Sequence, residues 1–218
     1  MKKINYKVIL IFFVGIIFTN KTYAQEIEKN KPINKISLGL NYGKSFQKNF
    51  LFNNQNYLYE NTYFKIQINY LLTQRKRFRF ELNIEPSLYF SKHQLLNKYF
   101  IQPEKNPNYL EQRVRFTEER LFNEYAINVG IIVRYKIKNN LSTYLLGSIG
   151  PMISGQDTER LKKGFAFSDI FGIGFSYKQK IILFDLRLSI RHNSNANLYQ
   201  PNHGHNSLGL ESGISFQL

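Results

Sequence analysis

The chain of 218 residues contains no cysteine and no tryptophan, and its 15 acidic residues stand against 30 basic ones. Without cysteine the protein has no disulfide bond, no thiolate nucleophile and no cysteine that could carry an N-terminal lipid. The sequence also lacks the Gly-x-Ser-x-Gly motif of serine hydrolases and a phosphate-binding loop. The signatures of three common kinds of active site are therefore missing.

The excess of positive charge, formally +15, indicates a polyanionic neighbour, either nucleic acid or an anionic membrane surface. The first residues favour the membrane. Three lysines precede an apolar run at 8–18, and Thr22 and Ala24 are small residues in the pattern of a cleavage site. The run is shorter than the roughly 20 residues that a spanning helix needs. We therefore predict a secretory signal peptide over 1–24 and a short periplasmic lead over 25–33, and export argues against a nucleic-acid partner.

Beyond the lead there is no apolar run long enough for a spanning helix, but apolar and polar residues alternate with period two, as in β-strands with one apolar face. A membrane protein of this kind must be a closed barrel, since only helices and closed barrels satisfy their backbone groups in lipid. The predicted strands are 36–43, 63–72, 77–90, 125–136, 141–153, 165–177, 181–194 and 206–218.

Each single strand fits a soluble β-sandwich as well as a barrel. The signal peptide, the even number of strands and the alternation of long and short connections favour an eight-stranded antiparallel transmembrane β-barrel over 34–218, in the outer membrane of a Gram-negative cell. An eight-stranded barrel has room inside only for side chains, so the inward charges should pair and close the lumen, which argues against a channel. These charges are Arg77, Arg79, Glu81, Glu85, Arg134, Asp185, Arg187, Arg191 and Glu211.

Polar side chains stand on the apolar face at the end of the seventh predicted strand. His192 and Ser194 continue the row of Leu188 and Ile190, and Asn206 has the corresponding parity at the start of the eighth strand. A serine, a histidine that can take its proton and a third group that orients the histidine are the parts of an acyl-transfer site. The alternative is that these polar residues merely mark the membrane boundary, and the spacing alone leaves both interpretations open.

The run RHNSNANLYQPNHGHN at 191–206 resembles the C-terminal motif of the outer-membrane lipid A 3-O-deacylases, the PagL family. The resemblance implies an eight-stranded barrel with its active site on the outer wall, within the outer leaflet. It also implies hydrolysis of an ester-linked acyl chain of lipid A, the membrane anchor of lipopolysaccharide, without a cofactor. The matching residues are His192, Ser194, Asn195, Ala196, Pro201, Asn202 and Gly204.

By this resemblance Ser194 is the nucleophile and His192 is the general base. The third member of the site, a glutamate in the best-known form of the family, falls on Asn206. An asparagine can orient the imidazole by accepting its N–H, but it cannot stabilise the imidazolium by charge. Glu211 is the nearest acidic residue, yet its parity points into the barrel, so we do not assign it to the site.

The oxyanion of the reaction would be held by the backbone N–H groups near Asn195 and Asn197 or by the side chain of Asn202. Asn197 stands where the family usually has a small residue, and asparagine tolerates a left-handed backbone better than most residues. The phosphates of lipid A would contact basic residues of an outer loop. Those residues are Arg160, Lys162 and Lys163.

The competing hypothesis is a non-catalytic outer-membrane barrel with a structural or adhesion role, which would bind a partner through the polar segment 92–120. His203 and His205 could also bind a metal ion, but no acidic or cysteine partner lies near them in the sequence, and a solvated loop is the simpler interpretation. The sequence does not decide between a monomer and a homodimer.

Overall fold

The strands of the described residues close into a ring. The computed structural model describes residues 35–47, 51–52 and 54–218, so the predicted signal peptide and lead lie outside the described residues. Within them, eight antiparallel strands each pair with their neighbours in sequence, and the first pairs with the last. The predicted eight-stranded antiparallel barrel is confirmed. Its strands are β1 (Ile36–Phe46), β2 (Tyr57–Arg75), β3 (Phe78–Leu95), β4 (Arg120–Lys136), β5 (Leu141–Ser154), β6 (Gly164–Gln179), β7 (Ile182–Ser194) and β8 (His205–Gln217).

The segment between β3 and β4 is more ordered than its polar sequence indicates. It contains two short 3₁₀ turns, Lys98–Phe100 and Pro103–Lys105, and the helix α1 (Tyr109–Thr117). Phe116 of the helix packs with Leu95 and Ile101, and this contact fixes the segment above the barrel. No helix in the described part of the chain has the length and apolar character needed to cross a membrane.

The outer wall is apolar over most of its height. Phe64, Phe171 and Phe175 each expose more than half of their surface, with values of 52%, 57% and 54%. Alternate residues of each strand face outward, and the described residues form no second sheet that could cover them. An exposed apolar surface of this extent fits contact with lipid and not with water. The alternative of a soluble sandwich is therefore wrong.

The inside of the barrel is filled by ion pairs. Arg187 contacts Glu211 through Nε, and its Nη2 donates to Glu85 at 2.9 Å. Lys65 Nζ lies 3.0 Å from Glu211, so two cations and two acids neutralise one another in a space without water access. The prediction that inward charges pair and close the lumen is confirmed for this cluster. Further lumenal pairs are Arg134–Glu81, Arg134–Asp185, Arg79–Glu81 and Arg191–Glu124.

Arg77 departs from the predicted set of inward charges. It lies in the tight turn between β2 and β3, where its side chain is exposed and its Nη1 donates to the hydroxyl of Tyr135 at 3.4 Å. The prediction extended the alternation of β3 by one residue, but the strand begins at Phe78. The inward assignment of Arg77 is therefore wrong.

Replacing Arg187 by alanine should destabilise the barrel strongly. The change leaves the Glu85 and Glu211 carboxylates buried, with Lys65 as their remaining ion-pair partner among the described residues, and breaking a buried ion pair from one side costs about 3–5 kcal/mol. Urea unfolding of the barrel in detergent micelles, followed by circular dichroism, measures this loss. Arg75→Ala, at the exposed end of β2, is the matched control and should change the free energy of unfolding by less than about 0.5 kcal/mol. Equal effects of the two changes would contradict the role of the lumenal cluster.

Candidate active site

The end of β7 carries His192 and Ser194 on the outer wall. Both are partly exposed, whereas Arg191 and Asn193 between and beside them are buried inside the barrel. This follows from the strand geometry, in which successive side chains point to opposite faces. The structure thus places the histidine and the serine where lipid, and not the lumen, is their neighbour.

His192 is held by a hydrogen bond to the neighbouring strand. It pairs in register with Asn206 of β8, and Nδ1 of the ring lies 2.6 Å from Oδ1 of the Asn206 amide. Because an amide oxygen can only accept, this bond places the proton of the neutral imidazole on Nδ1. Nε2 is left as an acceptor, which is the state that a general base requires.

Ser194 follows His192 by two residues on the same face of β7. Its backbone pairs with Phe167 of β6. Among the residues that the structure describes, the Ser194 hydroxyl makes no hydrogen bond, so the serine and the imidazole are neighbours without being joined. The hydrogen bond between a nucleophile and its base is often long in the absence of substrate and tightens in the complex.

The three asparagines that the sequence assigns to oxyanion support lie together in the loop 195–204 that joins β7 to β8. The backbone N–H of Asn195 donates to Asn202 Oδ1 at 2.8 Å, and Asn202 Nδ2 donates to Asn197 Oδ1 at 3.0 Å. The backbone N–H of Asn195 therefore already donates a hydrogen bond within the loop. The N–H of Asn197 makes no hydrogen bond to any described residue, and Asn197 adopts the left-handed conformation with φ 63°.

Replacing Asn202 by alanine should reduce turnover by about 10²-fold, because a displacement of about 1 Å at a reacting group has an effect of this size. Asn202 is the side chain that ties Asn195 to Asn197, so its loss frees the turn directly after Ser194. The change is measured as kcat of the purified protein with lipid A, the substrate that the resemblance implies. Asn139→Ala, in the exposed turn before β5, is the control. An Asn202→Ala protein with the turnover of the wild type would show that the loop is held in other ways.

Gly204 allows the loop to pass close to the histidine ring. It has a φ of 67°, and a Cβ at this position would lie 2.5 Å from the carbonyl oxygen of Asn193 and 3.1 Å from Cε1 of His192. A larger residue would strain the backbone and press on the ring. Glycine at 204 is therefore part of what sets the position of His192.

Arg160 fixes the same loop from the side. Its Nε donates to the carbonyl oxygen of Gly204 at 2.7 Å, and its guanidinium lies 4.3 Å from the centre of the Tyr57 ring. The side chain is buried, and its Nε and Nη2 donate to carbonyl oxygens of the β7–β8 loop, which does not favour the predicted contact of Arg160 with lipid A phosphates. Lys162 and Lys163 remain exposed.

A cavity of about 740 Å³ opens between the β3–β4 segment, the β5–β6 loop and the β7–β8 loop. Lys105, Arg115 and Lys162 are among its lining residues, with Phe100 and His203 on its walls. Burial and the neighbouring Arg160 guanidinium lower the pKa of the His203 imidazole below its ordinary value. His205, which follows Gly204, is instead buried in the barrel against the Tyr59 ring. In the described residues, no group of three or more His, Asp or Glu side chains is arranged to hold a metal ion.

One acidic residue beside the site was missed in the sequence. Asp169 of β6 pairs in register with His192, faces outward and is partly buried. Its parity is that of Phe167 and Phe171, so it interrupts an apolar row in the same manner as His192 and Ser194. The criterion that identified those two residues would also have found Asp169. Glu211, which the sequence left unassigned, lies in the lumen as predicted.

The sequence model of one protein family, the lipid A 3-O-deacylase (PagL) family, matches residues 41–215. The chain belongs to this family. Membership supports a hydrolase that acts on lipid A, and the resemblance found in the motif at 191–206 extends over the barrel as a whole. A search of curated protein sequences found no match.

A comparison with solved structures concerns the architecture of the chain. The outer membrane enzyme PagL superposes with a TM-score of 0.54 at 13% identity, covering 81% of this chain and 97% of that chain. Neisserial surface protein A gives a TM-score of 0.43 at 13% identity, covering 84% of this chain and 96% of that chain. At this level of identity the likeness to the enzyme PagL shows the fold alone, which is that of an outer-membrane β-barrel.

Proposed function

We propose that this member of the PagL family is a serine-dependent hydrolase that removes an ester-linked acyl chain from lipid A in the outer leaflet of a Gram-negative outer membrane. The observation that carries the proposal is the hydrogen bond between His192 and Asn206 on the lipid-facing wall, directly beside Ser194. This bond leaves Nε2 of the imidazole ready to accept a proton. The substrate lies in the same leaflet, so neither partner has to leave the membrane.

In the proposed reaction, Oγ of Ser194 attacks the carbonyl carbon of the ester while its proton passes to Nε2 of His192. The carbonyl electron pair moves onto the oxygen, and we propose that the N–H of Asn197, which has no hydrogen-bond partner among the described residues, stabilises it. The intermediate then collapses, the ester C–O bond breaks, and the leaving sugar oxygen takes the proton from His192. A water molecule then attacks the acyl ester on Ser194 in the same way, with His192 accepting its proton. This step releases the fatty acid and restores the serine hydroxyl.

The cavity above the wall supports the assignment of an anionic substrate. Lys105, Arg115 and Lys162 line it together with Asp157 and Glu159, and it shares His203 and Pro201 with the loop that follows Ser194. Arg115 lies 3.5 Å from Asp157 in an ion pair, so Lys105 and Lys162 are the lining cations that support binding of a phosphate. Ammonium and guanidinium groups form strong hydrogen bonds with phosphate. We propose that the phosphorylated sugar of lipid A rests against these side chains while its acyl chains extend along the apolar wall below.

Mass spectrometry of lipid A from a Gram-negative host tests the proposed function. Cells that express the wild-type protein should contain lipid A species lacking one acyl chain, and cells that express Ser194→Ala or carry an empty vector should not. Both proteins must first be shown to be folded in the outer membrane by the slower migration of unheated samples in gel electrophoresis. An unchanged lipid A profile with folded wild-type protein would favour the competing hypothesis of a non-catalytic barrel.

A further inference from the structure

The outer wall next to His192 carries a carboxylate in apolar surroundings. Asp169 pairs with His192 on one side and with Ile149 on the other, and Phe167 and Phe171 flank it along β6. Its Oδ1 is buried and has no hydrogen-bond partner among the described residues. A carboxylate without a partner in such a position is costly, so its presence requires a compensating interaction.

His192 is the group that can provide this interaction. Among the described residues that face outward around Asp169, the neighbours on β5 and along β6 are apolar, and the histidine is the titratable side chain across the pair of strands. Asn206 holds the ring from the opposite side through Nδ1. The imidazole therefore lies between a neutral amide on β8 and a carboxylate on β6.

This arrangement supplies a negative charge near His192, which Asn206 cannot supply because it replaces the charged third member of the site. When the Ser194 proton reaches Nε2, the ring becomes a cation. The amide of Asn206 orients the ring but contributes no negative charge. The low dielectric constant of the lipid-facing wall strengthens the attraction between Asp169 and this cation, even without direct contact.

We propose that Asp169 is a positioning residue that supplies the negative charge for the imidazolium of His192, while Asn206 supplies the orientation. The two tasks of a single acid would then be divided between β6 and β8, the two strands that flank β7. The inference rests on the proposed function, because it concerns the charge that develops on His192 during ester hydrolysis.

The test measures kcat and KM for purified lipid A with the mature protein folded in detergent micelles. Asp169→Asn should lower kcat by about 10²-fold, a size expected for one charge a few ångströms away in a medium of low polarity, with KM within about twofold of the wild type. Asp169→Glu keeps the charge and should retain most of the turnover. Glu119→Gln, which removes an acid from the exposed loop before β4, is the control and should leave both constants unchanged.

The double variant Asp169→Asn with Asn206→Asp exchanges the positions of charge and amide around the ring. It should recover kcat to within about tenfold of the wild type, because a negative charge then again lies beside the imidazolium. A merely structural role of Asp169 does not predict this recovery. The proposal is overturned by an Asp169→Asn protein with unchanged kcat, by a rise in KM alone, which would indicate contact with the substrate, or by a folded double variant that stays as slow as Asp169→Asn.

Ser194→Ala, assayed in parallel, separates this inference from the proposed function. If Ser194→Ala is inactive and Asp169→Asn is as fast as the wild type, only the role of Asp169 falls. If Ser194→Ala turns over as fast as the wild type, the serine mechanism falls and the role of Asp169 with it.

Discussion

Replacing Ser194 by alanine is expected to abolish measurable deacylation, with a fall in kcat of about 10⁴- to 10⁶-fold, as found when serine hydrolases lose their nucleophile. The physical reason is that alanine has no oxygen to form the bond with the acyl carbon. His192 and Asn206 would remain in place, but they would have no proton to move. The barrel itself should be unaffected, because the Ser194 hydroxyl makes no hydrogen bond within the described residues.

The measurement is the release of fatty acid from purified lipid A by the protein in detergent micelles. Ser212→Ala is the matched control, since Ser212 is also a serine on the outer wall, exposed on β8 and far from the loop 195–204. It should turn over at the rate of the wild type. Residual activity of Ser194→Ala above about 1% of the wild type would mean that another nucleophile carries the reaction.

Replacing Asn206 by leucine should lower kcat by about 10²- to 10⁴-fold, approaching the loss seen when the histidine of a triad takes the wrong tautomer. The hydrogen bond of 2.6 Å to Nδ1 is what holds the proton on that nitrogen, and leucine cannot accept it. Without the bond the ring can rotate and can carry its proton on Nε2, where it cannot act as a base. KM should change little, because Asn206 acts through the ring.

Leucine has the same branched arrangement of side-chain heavy atoms as asparagine, and an apolar side chain is favoured on a lipid-facing wall, so Asn206→Leu should fold at least as well as the wild type. Asn123→Leu, which makes the same change on the outer face of β4, controls for the general effect of a more apolar wall. Comparison of kcat for the two variants isolates the hydrogen bond. Equal turnover of both would show that another group orients His192.

The barrel could be predicted from the sequence because the features that define it are set by residues close together in the chain. Period-two alternation, short basic turns and inward charges all follow from strands with one face in lipid and one face in a narrow lumen. The prediction was less accurate where strands leave the membrane. The ends of β2 and β3 extend beyond the predicted limits, because above the lipid the outward face no longer needs to be apolar and the alternation fades.

The helix α1 was not predicted, because its nine residues have mixed composition and a short helix gains most of its stability from packing. That packing, of Phe116 with Leu95 and Ile101, joins residues far apart in sequence. The role of Arg160 was hidden for a similar reason. A basic residue in a charged loop is expected to be exposed. The hydrogen bond from the Arg160 guanidinium to the carbonyl oxygen of Gly204 forms only because the fold brings the two loops together.

The candidate site was predictable where the parity of a residue in its strand determines the face on which its side chain lies. His192, Ser194 and Asn206 share a face of the wall because each has the right parity in its strand, and the structure places them so. The hydrogen-bond pattern of the loop was not predictable. That the Asn195 amide is bound to Asn202 depends on the path of the chain between two strands, for which the sequence has no periodic signal.

The register between β7 and β8 has a consequence for when the chain becomes reactive. His192 meets Asn206 only in the observed pairing, and a shift by a single residue would present the ring to His205 or Ser207, whose side chains point into the lumen. β8 is also the strand that closes the ring by pairing with β1. A chain still in transit through the periplasm would thus carry its serine without an oriented base. The proposed esterase activity would therefore begin only when β8 has closed the ring.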